Sequence, residues 1–276
     1  MTSWPLAVAK GARVSACGAT AGTTLGTTLT AAGSANTKGS YSQLIASTPF
    51  TATGVMVSIF RMSANSGRFL VDIAIGAAAS EVIILSDLSV GGAGSNGLFN
   101  NHVWIPLAIP AGSRIAARAS CSTASRTIQA MVHLTGQGLM PGAPCQKAKH
   151  YGADTANTRL TQVDPGTTVN TKGSYVQLVA STDFHGSWLF LDTGSFGGAT
   201  TDLFWLADFA IGAGGSETII IPNMNFSCET AVDGAGAWWY AFPCSIPAGS
   251  RIACRCQCSV NTATERILDA SVLILG

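Results

Sequence analysis

The stretch Asp72-Ile-Ala-Ile-Gly76 occurs again as Asp208-Phe-Ala-Ile-Gly212, and this repetition sets the framework of the molecule. Further upstream, Asn36–Phe50 matches Asn170–Phe184 at 12 of 15 positions. The matching blocks keep their order, and the spacing between copies changes only between blocks. Insertions therefore fall in connecting loops, and the blocks themselves belong to the framework. The chain carries one module twice.

The repeats predict four segments along the chain. Residues 1–16 have no clear counterpart and are predicted to be an N-terminal arm. Residues 17–136 form the first copy and residues 151–276 the second, and each copy has the size of an ordinary domain. The segment 137–150 contains two prolines and two glycines, and it is predicted to be the linker.

The pattern within each copy is typical of short β-strands. Apolar runs rich in β-branched residues, such as Val82-Ile-Ile-Leu85 and Thr218-Ile-Ile-Ile221, are separated by turn clusters such as Gly91–Gly97. Ile-Pro-Ala-Gly-Ser-Arg stands at both 109–114 and 246–251, where proline and glycine predict a turn that leads into a strand. We therefore predict an all-β chain of two tandem, homologous β-sandwich domains, jelly-roll-like in topology.

Composition limits the classes of partner. Charged residues make up only 11% of the chain and the formal net charge is +1, with Lys and Arg scattered singly. Nucleic acid binding requires a clustered cationic surface, so the balance argues against a nucleic-acid partner. No apolar run is long enough for a membrane helix. The N-terminus lacks the pattern of a signal peptide, which predicts folding in a host cytoplasm.

The duplication also serves as a filter for catalytic chemistry. Six charged pairs are common to both copies: Lys38/Lys172, Asp72/Asp208, Glu81/Glu217, Arg114/Arg251, Arg118/Arg255 and Arg126/Arg266. One interpretation pairs Asp72 or Glu81 with an arginine as an acid/base site, and the other makes them salt bridges at strand ends. No shared histidine or nucleophile motif accompanies them, so the structural interpretation is favoured. We predict no enzymatic activity and no cofactor.

The histidines do not form a metal site by spacing. They are His102, His133, His150 and His185. None is shared between copies, and His133 aligns with Leu273, which an obligatory ligand would not do. No metal is therefore predicted.

The cysteines cluster in the second copy, in Cys254-Arg-Cys256-Gln-Cys258. Alternate residues on a strand share a face, so these thiols are predicted to point the same way. Ala117, Ala119 and Cys121 are their counterparts, which suggests a tightly packed inward face of free, buried thiols. Zinc is a weaker alternative because the C-x₂-C spacing is missing. Disulfides with Cys228, with Cys244 or with other chains also stay open.

Cys17 and Cys145 lie next to the predicted module boundaries. From that position we predict exposed thiols. They could cross-link an assembly after it leaves the reducing cytoplasm.

Trp238-Trp239-Tyr240 precedes Pro243, much as Trp104 precedes Pro106. Core filling beside a proline is the favoured interpretation. The alternative is a surface that stacks on a sugar or contacts a partner, and it makes Trp238, Trp239 and Tyr240 the candidate contact residues.

The shared blocks resemble modules in virion proteins of tailed bacteriophages. The resemblance rests on Lys-Gly-Ser-Tyr-x-Gln-Leu, on Asp-Ile-Ala-Ile-Gly-Ala-x-x-Ser-Glu-x-Ile-Ile and on Ile-Pro-Ala-Gly-Ser-Arg-Ile-Ala. It covers most of residues 36–134 and 170–274. It implies a β-rich accessory protein that assembles on a particle, and it supplies no catalytic residues.

These observations predict a non-enzymatic structural protein of a tailed-phage virion. We expect an exterior capsid decoration or linking protein whose partners are the major capsid protein or tail proteins, and a homo-oligomer on the particle. The alternative is a tail, baseplate or fibre component, with host-glycan binding as one version. A depolymerase is disfavoured because Asp and Glu total only 14.

Overall fold

The computed structural model describes residues 13–19, 26–62, 67–90, 100–136, 144–193, 202–228 and 238–276. Within these ranges the regular secondary structure is entirely β, and none of these residues belongs to a helix long and apolar enough to cross a membrane. The strands are β1 Arg13–Cys17, β2 Thr27–Thr30, β3 Ser42–Ile45, β4 Gly54–Met62, β5 Phe69–Ile75, β6 Val82–Val90, β7 Asn100–Ile105, β8 Ile115–Cys121, β9 Thr127–Gly136, β10 Ala148–Tyr151, β11 Ala153–Asp154, β12 Arg159–Val163, β13 Val176–Val179, β14 Gly186–Thr193, β15 Leu203–Ile211, β16 Thr218–Cys228, β17 Trp238–Ile246, β18 Ile252–Cys258 and β19 Leu268–Leu275.

The first half forms a sandwich of two antiparallel sheets. One has the order β1-β9-β4-β7, with β2 also paired to β9, and is called the large sheet here. The small sheet has the order β3-β8-β5-β6. Consecutive strands cross repeatedly between the two sheets, and this is the strand order of a jelly roll.

The second half repeats this arrangement strand for strand. Its large sheet runs β12-β19-β14-β17, extended by β11 and with β10 paired to β19, and its small sheet runs β13-β18-β15-β16. The prediction of an all-β chain built from β-sandwiches is therefore confirmed.

Period-two alternation explains why these segments pack as sheets. On β9, Ile128, Ala130, Val132 and Leu134 are fully buried in the first core, while the residues between them face outward. Fully burying one such large aliphatic side chain contributes about 1.5–3 kcal/mol. Every residue of β9 and of β18 is buried or half-buried, since both strands are central in their sheets.

The repeated Ile-Pro-Ala-Gly-Ser-Arg blocks form the predicted turns. Gly112 and Gly249 have φ of +79° and +82°, a left-handed conformation that glycine adopts without strain. The hydroxyls of Ser113 and Ser250 donate to the carbonyls of Pro110 and Pro247 at 2.8 and 2.7 Å, which closes each turn.

Two predicted boundaries need correction. Strand β1 begins at Arg13 and pairs with β9, so residues 13–16 belong to the first sandwich and not to an arm. Strand β10 begins at Ala148 and pairs with β19, so the last residues of the predicted linker belong to the second sandwich. Strands of four or five residues beside loops carry too little alternation to be recognised in sequence. Residues 1–12 and 137–143 lie outside the described ranges, and the four-part division of the chain stays a prediction.

Candidate functional site

The outer face of each small sheet carries charged residues that both halves share. In the first sandwich Asp72 on β5 is 2% exposed. It accepts hydrogen bonds from Lys38 Nζ at 2.7 Å, from Arg118 Nε at 2.9 Å and from the backbone N–H of Asp87 at 2.9 Å. A buried carboxylate is tolerated here because two cations and an amide replace its water.

The second sandwich repeats this site almost atom for atom. Asp208 accepts from Lys172 Nζ, Arg255 Nε and the N–H of Asn223, each at 2.9 Å. Burial alone would raise the pKa of Asp208, but these three donors outweigh it and hold the pKa below its ordinary value. The carboxylate therefore stays ionised and bonded to its three donors. We call such a site a structural anchor.

A second ion pair lies at the end of each of these sheets. Arg114 Nη1 contacts Glu81 Oε1 at 2.9 Å, and Arg251 Nη1 contacts Glu217 Oε1 at 3.0 Å. The same guanidinium groups donate to the carbonyls of Gly76 and Gly212, both at 3.1 Å. The prediction of salt bridges is confirmed, but only the Glu81 and Glu217 pairs lie at strand ends, because Asp72 and Asp208 lie within β5 and β15.

A tyrosine covers each carboxylate site. The Arg118 guanidinium lies 4.6 Å from the centre of the Tyr41 ring, and that of Arg255 lies 4.7 Å from the centre of the Tyr175 ring. Both tyrosines are half-buried, so part of each ring faces solvent. The result is a polar, aromatic surface that occurs twice on the chain. We call it the tyrosine face.

Sequence reasoning missed one member of this site. Asp87 and Asn223 sit on bulges with φ of +52° and +49°, and this conformation turns their N–H groups toward the carboxylates. Asp and Asn are the non-glycine residues that tolerate it best. In the sequence, the available sign of these bulges was that Asp87 and Asn223 occupy matching positions in two otherwise apolar strands.

The cysteines of β18 lie as predicted. Cys254, Cys256 and Cys258 are at most 1% exposed and belong to the second core. Burial raises the pKa of Cys256 to about 12, so its thiol stays protonated and unreactive. All seven cysteines whose side chains are described are free, and no group of three metal-binding side chains occurs among the described residues.

The prediction of exposed thiols at Cys17 and Cys145 is wrong. Cys17 is 1% exposed because it ends β1 and points between the sheets. Cys145 is 7% exposed, forms a parallel bridge with Leu107, and has its Sγ 3.8 Å from Ser187 Oγ. Neither can cross-link a neighbouring chain without local opening.

Cys244, on β17, is instead the half-exposed thiol among the described cysteines. In a Cys228→Ala background, we expect a thiol reagent at neutral pH to modify Cys244 well before the other six. Peptide mapping over time would measure this, and Cys228→Ala/Cys244→Ala should lack the early product. Equally early modification of Cys256 would contradict the burial described here. The side chain of Cys228 lies outside the described part.

The candidate aromatic contact residues do not form one platform. Trp239 and Tyr240 are neighbours on β17, so they face opposite sides of the sheet. Tyr240 packs with the second core and meets Phe226 edge-on at 6.0 Å, whereas Trp239 packs with the first core cluster and lies 6.0 Å from the His150 ring. The side chain of Trp238 is outside the described part.

Trp239 belongs to a contact between the two sandwiches. Strand β10 lies against β6. On β19, Val272 and Ile274 face the second core, whereas Leu273 and Leu275 are fully buried on the opposite side, in the first core cluster. The first sandwich therefore covers the outer face of the second sandwich's large sheet.

This contact contains a buried polar cluster that the sequence did not reveal. His150 Nε2 is 2.7 Å from Ser271 Oγ and 3.3 Å from Asp192 Oδ2, and all three residues are buried. A hydrolytic triad uses different imidazole nitrogens for acid and nucleophile. Here one nitrogen makes both contacts and Nδ1 has no partner. The cluster therefore lacks the geometry of a catalytic triad, and it forms hydrogen bonds within the contact between the sandwiches.

No protein-family model and no curated protein matches the chain. Among solved structures, PNGF-II is similar at 9% identity and a TM-score of 0.39, over 86% of this chain and 59% of that one. The tandem CBM22-1-CBM22-2 domain of Paenibacillus barcinonensis Xyn10C has 9% identity and a TM-score of 0.30, over 96% and 91%. The infectious bursal disease virus VP2 subviral particle has 12% identity and a TM-score of 0.26, over 83% and 57%. These low scores carry no argument about function, and the fold assignment rests on the strand order.

Proposed function

We propose that the protein is a non-enzymatic structural protein of a tailed-phage virion, bound to the exterior of the head as a decoration or linking protein. The observation that carries the proposal is the duplicated tyrosine face. One chain presents the same surface twice, once on each sandwich. Two like surfaces on one chain fit two like neighbours, and the second contact gains from the high effective concentration that the first creates.

The use of the shared charges supports a scaffold over an enzyme. Asp72 and Asp208 are bonded to arginines on the neighbouring strand of the same sheet, and Glu81 and Glu217 are bonded to arginines at its end. Catalytic carboxylates must instead face a substrate. The weakly charged surface also suits extensive packing against other virion proteins.

The tyrosine faces give a direct test with matched variants. Tyr41→Ala and Tyr175→Ala alter equivalent positions, so each single variant should fall back to one-site attachment. We expect purified protein to bind heads lacking it 10²–10⁴-fold more weakly for either single variant, because avidity is lost, and the double variant to bind not at all. Unchanged denaturant midpoints would show that the variants fold.

Electron microscopy of the whole particle separates the alternatives. Density for two sandwiches across adjacent capsomers supports the proposal. Density on the tail, baseplate or fibre would replace it with the tail alternative, and a chain missing from purified particles would refute both. Single variants that bind heads as tightly as the unchanged protein would exclude the bivalent mechanism.

A further inference from the structure

The contact between the two sandwiches joins two different surfaces. One is the outer face of the second large sheet, with Leu273 and Leu275 fully buried at one end. The other is the edge of the first small sheet, where Arg68 attracts the Asp269 carboxylate and the N–H of Ser89 lies against Asp192. The two sandwiches have the same fold, so each has its own version of both surfaces. The internal contact uses the sheet face of the second sandwich and the edge of the first, which leaves one face and one edge unused.

The unused sheet face lies on the first sandwich. Strand register places Met131 and His133 of β9 where β19 has Ser271 and Leu273. In the second sandwich these positions are covered, whereas Met131 and His133 are only half-buried. Val14, on the neighbouring strand β1, is 63% exposed.

An indole occupies the same place on both faces. In the second sandwich it is Trp188, which packs against the first core cluster. In the first sandwich the equivalent residue is Gly54, and the ring of Trp104 from β7 fills the space, 2.4 Å from where a Cβ on Gly54 would lie. The face that is covered internally and the face that is not therefore share a large apolar anchor.

The uncovered face also carries unsatisfied polar atoms. Gln129 Oε1, His133 Nδ1 and Thr135 Oγ1 are buried and have no hydrogen-bond partner among the described residues. All three side chains alternate with the core residues of β9 and so point outward. Unpaired buried polar atoms are costly, and a docked surface with donors and acceptors would remove that cost.

The unused edge lies on the second sandwich. Phe204 is the equivalent of Arg68, since the N–H of each donates to a serine hydroxyl, Ser259 or Ser122, at 3.1 Å. Phe204 is 60% exposed. It borders a cavity of about 320 Å³ whose lining includes Asn225, the equivalent of Ser89.

The charged pair of the internal contact is replaced by neutral residues at the equivalent positions of the two unused surfaces. The internal contact sets Arg68 against Asp269. The corresponding positions hold Phe204, which is exposed, and Gln129, which is already buried within the chain, and both are neutral. Bringing the two free surfaces together would therefore bury no unpaired charge, although each lacks the pair that the internal contact has.

We propose that a second copy of this chain docks the Phe204 edge of its second sandwich onto the Met131 face of the first sandwich, repeating between molecules the contact made within each. The contact is heterologous, so each copy keeps one free face and one free edge. Such contacts build open chains or closed rings. The proposal concerns free protein and does not depend on where the chain sits in a virion.

Two single variants and their mixture test the contact. Phe204→Asp alters the edge and Met131→Asp alters the face, and each should weaken self-association at least about tenfold by placing a carboxylate in a desolvated contact. Mixed together, they retain one intact edge and one intact face, so they should form a dimer that grows no further. Ile219→Asp, at an exposed position on the other end of β16, is the control and should associate like the unchanged protein.

Sedimentation velocity from micromolar to near-millimolar concentration measures all five samples. The expected result is concentration-dependent growth for the unchanged protein and for Ile219→Asp, monomers for each interface variant, and dimers for the mixture. Denaturant midpoints close to that of the unchanged protein verify folding, and Met131→Gln replaces Met131→Asp if the latter fails. A monomeric unchanged protein, or a mixture that stays monomeric, would overturn the proposal.

Discussion

Replacing Asp208 by asparagine is expected to lower the free energy of unfolding by about 3 kcal/mol, near the lower end of the range for breaking a buried ion pair. The side chain of Asp208 is 4% exposed and bonded to Lys172 and Arg255, whose side chains are 17% and 31% exposed. The amide can still accept from Asn223, but it cannot balance two cations. The cost stays near the lower end because both cations keep some access to water.

The duplication supplies a matched experiment in the same molecule. Asp72→Asn should cost about as much, since Asp72 has the same three kinds of donor at 2.7–2.9 Å. Asp154→Asn is the control, because its ion pair with Arg159 is about a third exposed and should contribute under about 1 kcal/mol. Urea titrations measure all three. An Asp208→Asn loss no larger than that of Asp154→Asn would show that the buried site is not an anchor.

Leu273→Ala is expected to destabilise the protein by about 2–5 kcal/mol although it leaves the core of its own sandwich untouched. Leu273 is fully buried, but it faces the first sandwich and not its own core. Its removal leaves a cavity in the internal contact. We therefore expect a single calorimetric transition of the unchanged protein to separate into two, one for each sandwich.

Val272→Ala distinguishes this effect from ordinary core damage. Val272 is the neighbouring residue on β19 and is fully buried in the second core. Its truncation should lower the stability of the second sandwich without loosening the contact between the two. If Leu273→Ala costs less than about 1 kcal/mol, or if both variants give the same calorimetric profile, then the contact does not couple the sandwiches.

Local alternation predicts much of this fold. The inward face of β18 was predictable because three cysteines, matched by two alanines and a cysteine in the first copy, recur at every second residue. The turn at Gly112 was predictable because proline fixes φ early in the turn and glycine adopts the left-handed φ that follows. The charged anchors could be recognised because both copies keep them, whereas the third donor is a backbone amide, which has no side-chain signature in the sequence.

Contacts between distant segments could not be predicted in this way. Cys145 is buried because it pairs with Leu107, a partner fixed by how the sandwiches meet and not by its own neighbours in sequence. His150 and Asp192 likewise join only because β10 and β14 flank the same strand, β19. Trp239 belongs to the same contact, which explains why its proximity to a proline was a poor guide to its role.

The concealed thiols of β18 have a consequence for longevity. Under reducing conditions an unfolded chain can refold freely. In an oxidising medium, any molecule that opens would expose Cys254, Cys256 and Cys258 and be trapped by mispaired sulfur bridges. Loss would then be one-way, so the working lifetime in such a medium would be set by the height of the unfolding barrier and not by the equilibrium between the two states.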